Sequence, residues 1–151
     1  MAMTMNGQVQ LAASRDVVWA KLNDPEVLKS CIPGSEQLDK ISDSEFQAIA
    51  TVKVGPVKAR WKGKVRLSDL DPPNSYRISG EGEGGVAGFA KGGAKVSLTD
   101  KDGGTLLTYD VEAQIGGKLA QLGQRLINSA AKKTADDFFE NFAAAVAPKL
   151  G

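Results

Sequence analysis

Apolar and polar residues alternate along this chain in two different rhythms. In the last thirty residues, Lys118 to Ala147, the rhythm is helical. Leu119, Leu122, Leu126, Ala130, Thr134, Phe138, Phe142 and Val146 recur at steps of three or four, the spacing of one helix face. Gln121, Arg125, Lys132, Lys133, Asp136, Asp137 and Glu140 take the solvated positions between them. Gly116-Gly117 precedes the stripe and Pro148 follows it, so both ends carry breakers. A helix of that extent would be roughly 40 Å long. It needs a large apolar surface to lie on.

The rhythm before it has period two. Gln8 to Ala12 predicts a short first strand around Val9 and Leu11. Ser14 is a good N-cap for a helix over Arg15 to Leu22, and Asp24-Pro25 starts a second short helix that Ile32-Pro33-Gly34 stops. Gln37 to Ile41 predicts a weak strand. Then Phe46, Ala48, Ala50, Val52 and Val54 share a face, as do Val57, Ala59, Trp61, Gly63, Val65 and Leu67 after the Gly55-Pro56 turn. Tyr76, Ile78, Gly80, Gly82 and Gly84 follow, then Ala94, Val96 and Leu98, then Leu107, Tyr109, Val111, Ala113 and Ile115. Short connections predict an antiparallel meander with one wet and one dry face.

Only the terminal helix is large enough to cover that dry face. The expected architecture is α+β: a curved antiparallel sheet of about seven strands wrapped around a long C-terminal helix, with two short helices after the first strand. One domain over residues 6–147 is expected, with residues 1–5 unstructured or an added start.

The inward positions are unusually small. Ala48, Ala50, Ala59, Gly63, Gly80, Gly82, Gly84, Ala94 and Ala113 face Ala130 and Ala131 of the helix. Well-packed cores interdigitate large with small side chains. Two explanations stay open. Glycines let strands bend and a helix backbone approach closely; alternatively an apolar cavity remains and holds a ligand. In the second case Trp61, Ile78, Gly82, Phe89, Tyr109, Leu122, Leu126, Ala130 and Phe138 are the candidate lining, with the Tyr109 phenol a polar handle.

Composition narrows the chemistry. The chain has 151 residues, 19 Lys plus Arg against 18 Asp plus Glu, and no histidine. The commonest general base and metal ligand are thus missing, and Cys31 stands alone, so neither a metal site nor a catalytic residue is expected. Asp136-Asp137 falls on the outer helix face, where solvation is the ordinary fate. No apolar run is long enough to span a bilayer, and the start lacks a secretory pattern, so a cytoplasmic protein is expected.

The glycine-rich run Gly82–Gly93 superficially invites a phosphate-loop interpretation. Strands lie on both sides of it, however, and no Gly-Lys-Ser/Thr occurs. A mobile connection with Val86, Ala87 and Phe89 at its tip is expected instead. Lys58, Arg60, Lys62, Lys64 and Arg66 form a basic row on one strand face. The row is either a solvated face neutralised by Glu81 and Glu83, or, with Val86 and Ala87, a docking surface for anionic lipid or an acidic partner. Nucleic acid is disfavoured, because no aromatic residues interleave with these charges.

Several short motifs together carry a family resemblance. Asp24-Pro25-Glu26-Val27-Leu28, Cys31-Ile32-Pro33-Gly34, Val54-Gly55-Pro56-Val57-Lys58-Ala59, the Gly85 to Gly92 loop, Gly104-Thr105 and Gly116-Gly117-Lys118-Leu119-Ala120-Gln121-Leu122-Gly123 occur in an order that resembles the G-subunit proteins of carbon monoxide dehydrogenase. That family lies within the START-like, or SRPBCC, helix-grip superfamily, so the resemblance implies the same gripped-helix fold. It implies a non-catalytic accessory protein for a molybdenum hydroxylase of the carbon monoxide dehydrogenase type, similar to lipid carriers, that links the enzyme to the membrane and its quinone pool. No cofactor beyond a bound quinone or lipid is expected, with transient contact at the inner face of the cell membrane. An assembly or recruitment factor with a filled core, and a cyclase- or hydratase-like enzyme, are the alternatives.

Overall fold

The structure, a computed structural model, describes residues 1–147. Its elements are β1 (Ala2–Leu11), α1 (Arg15–Leu22), α2 (Pro25–Cys31), β2 (Ser35–Ser42), β3 (Glu45–Val54), β4 (Val57–Asp71), β5 (Ser75–Glu83), β6 (Phe89–Lys101), β7 (Gly104–Gly116) and α3 (Gln124–Val146). Single 3-10 turns at Gly85–Ala87 and Ala120–Leu122 join β5 to β6 and β7 to α3. The Ser14 hydroxyl accepts the Val17 N–H, and the Asp24 carboxylate accepts the Glu26 N–H at 3.0 Å, so both expected caps start their helices.

The seven strands form one antiparallel sheet in the order β1-β7-β6-β5-β4-β3-β2. Only the first strand leaves chain order, because α1 and α2 carry the chain from one side of the sheet to the other. The sheet is a curved trough, and α3 lies in it. The helix comes closest to the sheet at β1 and β3, towards the trough's two sides, rather than at the middle strands.

The apolar interior falls into two clusters. One, at the end closed by α1 and α2, gathers Leu11, Val18, Leu22, Cys31, Phe46, Leu67, Tyr76, Val96, Leu98, Leu107, Phe142 and Val146. Phe138 stacks on Phe142 at 5.8 Å and meets Phe139 edge-on, which fixes the C-terminal half of α3 there. The other gathers Met3, Val54, Ile115, Leu119 and Ile127 at the opposite end.

Three expectations are corrected. β1 begins at Ala2, and Met3 is buried in the second cluster, so residues 2–5 are strand rather than unstructured. The stripe from Leu119 to Val146 is not one helix. Gly123 adopts φ +93°, which no helix tolerates, so Leu119 and Leu122 sit on the 3-10 turn and α3 starts at Gln124. The glycine-rich run is mostly strand, with only one turn standing between β5 and β6. Pro148 lies outside the described residues.

Candidate functional site: the trough beneath the long helix

Between the two clusters runs a band of small residues that belongs to neither. Ala48, Ala50, Ala59, Gly63, Gly80, Gly82 and Ala94 point into the trough there and are only half-buried. On α3 the facing Thr134 is exposed, although it continues the inward stripe. The space above these residues can be probed atom by atom. A Cβ built on Gly80 would meet only the Lys64 carbonyl oxygen at 3.4 Å and a Val65 methyl at 3.7 Å, both in the neighbouring strand. On Gly82 its nearest neighbours are the Lys62 carbonyl oxygen at 3.4 Å and the Gly63 Cα at 3.7 Å, again within the sheet. The helix backbone therefore does not press on these glycines. Of the two explanations open from sequence, close approach of α3 is not what this geometry shows.

The end of the trough away from α1 and α2 is framed by three connections. The Trp61 indole lies against Gly84, where a Cβ would come within 2.9 Å of it. Leu126, partly exposed at 37 %, covers Gly55 of the β3–β4 turn. The 3-10 turn after β5 is latched rather than free. Leu119 donates its N–H to the Ala87 carbonyl at 2.9 Å, and Gly84 donates to the Gly88 carbonyl at 2.9 Å. Gly88 and Gly117 approach so closely that a Cβ on Gly117, itself at φ +82°, would fall 2.4 Å from the Gly88 Cα. Only glycine allows this contact.

The expected lining residues are divided by the fold. Trp61, Leu122 and Ala130 pack around the mouth cluster, with Leu126 beside them; Ile78 and Phe138 pack at the closed end; Gly82 lies in the band between. Phe89 does not join them, and Tyr109 packs against the closed-end cluster from the β1 side. Phe89 is on the outer face, half exposed, with its ring across Gly116 and beside Lys62 and Glu83. The alternation of β6 puts Ala90 inward and forces Phe89 outward, so its assignment to the interior is corrected. Tyr109 lies over Gly7 of β1 and stacks on Phe139 at 5.0 Å, which turns its phenol towards the side of the trough at β1.

The docking residues are likewise redistributed. Val86 is 85 % exposed at the tip of its turn, but Ala87 is buried beneath it and cannot dock anything. Arg60 pairs with Glu36 at 3.0 Å, and Arg66 with Glu45 at 3.2 Å. Hydrogen bonds from Thr51 and Arg60 hold the Glu36 carboxyl below its usual range. Lys62 and Lys64 stand opposite Glu83 and Glu81. Lys58 instead faces Lys53 across the β3–β4 hairpin. With Lys118, Arg125, Val86 and Leu126, all exposed, these two lysines make the mouth end cationic and partly apolar. The single basic row predicted from sequence missed this patch, because it is assembled from three separate connections.

The other polar side chains of note have local partners. The Thr105 hydroxyl, fully buried, donates to the Ala13 carbonyl at 2.7 Å. Asp136 and Asp137 pair with Lys132 and Lys133, each at 2.7 Å, one helical turn apart. Among the described residues no three metal-ligating side chains come together, and no helix is long and apolar enough to cross a membrane.

A curved sheet wrapped round a long terminal helix, with two small helices after the first strand, defines the START-like helix-grip fold. A START superfamily protein from Mycobacterium smegmatis superposes with a TM-score of 0.73 over 95 % of this chain and 96 % of its own, at 13 % identity. The Zhui aromatase/cyclase from Streptomyces sp. R1128 does so with a TM-score of 0.71 over 97 % and 94 %, at 14 % identity. Within that class the chain belongs to the CoxG family, the G-subunit proteins of carbon monoxide dehydrogenase, whose profile matches residues 7–147. A conserved protein from Geobacillus kaustophilus is 32 % identical, covers 95 % of each chain and has a TM-score of 0.89. No curated protein sequence matches the chain.

Proposed function

We propose that this protein is a non-catalytic carrier that holds a hydrophobic molecule, a quinone or the tail of a lipid, in the band between the two apolar clusters. It would serve a molybdenum hydroxylase of the carbon monoxide dehydrogenase type, as its family name suggests. The observation that carries the proposal is that a Cβ built on Gly80 or Gly82 finds its nearest atoms, at 3.4–4.0 Å, in the sheet itself and none in α3. Alanine and glycine line that band, so a guest there gains its affinity from apolar area rather than from hydrogen bonds. A factor with a filled core would have no use for such a band. An enzyme of the cyclase kind would need polar groups converging on it.

The mouth end supports loading at a membrane. Lys53, Lys58, Lys118 and Arg125 are exposed on or beside the connections at this end, as are Val86 and Leu126, a combination suited to anionic headgroups with a shallow apolar contact. Docking by this end would point the trough's opening at the bilayer. The outer face of β4, whose Arg60 and Arg66 are already paired, is less suited.

Purification without detergent, followed by solvent extraction and mass spectrometry, tests the proposal. A quinone or lipid recovered at near one per protein is the expected result. An empty extract that stays empty after incubation with quinone or with cell lipid would overturn it.

A further inference from the structure

The two edges of the sheet are treated differently. β2 is blunted in the usual ways: its register with β3 shifts twice, and Glu36, Asp39 and Lys40 put charges along it. β1 has none of these protections. From Ala2 to Leu11 it carries no charge and no proline, and it pairs with β7 without a break. Met1 and Ile115 exchange both backbone hydrogen bonds, so the odd residues of β1 bond to β7 and the even ones point their N–H and C=O away from it. Gln124 caps the Ala2 carbonyl at 3.1 Å. The backbone groups of Thr4, Asn6 and Gln8 are left facing outward, with no hydrogen-bond partner among the described residues.

These groups open into a groove of about 710 Å³ between β1 and α3. Its floor is apolar: the stacked Tyr109 and Phe139 rings, with Ala131 and Ala143. Its far rim is charged, where Lys132 and Asp136 pair at 2.7 Å and Glu140 has no ion-pair partner among the described residues. The long helix stands across the groove, so a single extended segment fits the opening better than the continued sheet of a second copy.

We infer that the β1 edge is a docking site for an extended segment of a partner protein, added as an eighth strand. Its backbone would pair with Thr4, Asn6 and Gln8, alternate apolar side chains would rest on the Tyr109–Phe139 floor, and a basic residue would answer Glu140. Main-chain pairing supplies affinity in this mode, and the side-chain pockets supply selectivity. The site is independent of what fills the trough.

Selection of a random peptide library displayed on phage tests it. Enriched peptides should alternate apolar residues and carry Lys or Arg towards one end. Binding should fall at least tenfold on Asn6→Pro, which removes an outward N–H without touching the bonds to β7. It should fall several-fold on Glu140→Gln. N-methylating alternate amides of the peptide should abolish binding to the unaltered protein, a readout that stands even where Asn6→Pro folds poorly. Bound peptide should slow hydrogen exchange at the amides of Thr4, Asn6 and Gln8. No enriched sequence, binding insensitive to N-methylation, or sedimentation as a dimer that Asn6→Pro dissociates would each overturn the inference, the last by giving the edge to a second copy.

Discussion

Gly82→Val asks whether the trough is hollow by a change of sign. The Cβ that valine adds makes ordinary contacts at 3.4 Å with the Lys62 carbonyl oxygen and 3.7 Å with the Gly63 Cα, and its two methyls extend into the band. Replacing a strand glycine removes unfolded-state freedom worth roughly 0.5–1 kcal/mol. Each fully buried carbon contributes about 0.8 kcal/mol, and half-burial of three carbons gives about 1 kcal/mol. The variant should therefore be about 1–2 kcal/mol more stable, with a melting temperature about 3–6 °C higher. Had the helix been packed against Gly82, the same change would overpack the interface and cost about 1–3 kcal/mol. Urea unfolding at constant m-value measures the difference. A loss of more than about 1 kcal/mol would refute the hollow trough. The same valine should also lower the amount of hydrophobic ligand retained.

Other outcomes follow from the mouth and the core. Gly117→Ala forces a Cβ against the Gly88 Cα at φ +82° and should cost about 1–3 kcal/mol, with faster exchange of the Leu119 amide as the latch loosens. Lys118→Ser should weaken binding to vesicles containing phosphatidylserine about fivefold, near 1 kcal/mol, while Arg60→Ser on the outer face changes it little; equal effects would contradict docking by the mouth. Tyr76 is deeply buried, and burial pushes its phenol well above the ordinary 10.0. The folded state thus favours the neutral form. Its contribution is fully present below pH 10.0 and is lost as pH rises above that value. Tyr76→Phe should flatten the fall of the urea midpoint between about pH 9 and about pH 11.

Much of the fold was legible because alternation and turn chemistry agree along most of the chain. The caps at Ser14 and Asp24 and the strand faces from Phe46 to Ile115 needed no tertiary information. The start of α3 was not legible in the apolar stripe, because Leu119 and Leu122 keep helical spacing while Gly123 leaves helical conformation. Gly92 and Gly93 looked like loop because glycine is rare in strands; here they pair with Gly80 and Ser79 inside the sheet. Phe89 was misplaced for the same reason, since its face is set by a strand that starts before the glycines that suggested a loop.

The candidate site was legible only as an excess of small inward residues. Whether small faced small or helix backbone depends on where α3 rests, and that is decided by Phe138 and Phe142 packing at the closed end and Ile127 at the other. No local pattern encodes the height of a helix above a sheet. The β1 edge also escaped notice, because an uncharged strand signals nothing until the elements beside it are known.

A hydrophobic guest held in the band would lie beside Trp61. Trp19 sits apart, edge-on to Tyr76 at 5.2 Å in the closed-end cluster, so Trp19→Phe leaves Trp61 as the one indole reporting on the mouth. Titrating that variant with a short-chain quinone and following indole fluorescence tests for such a guest. Saturable quenching at about one quinone per protein, lost in Gly82→Val, is the predicted result. Quenching that rises linearly without saturation, or that Gly82→Val leaves unchanged, would contradict it.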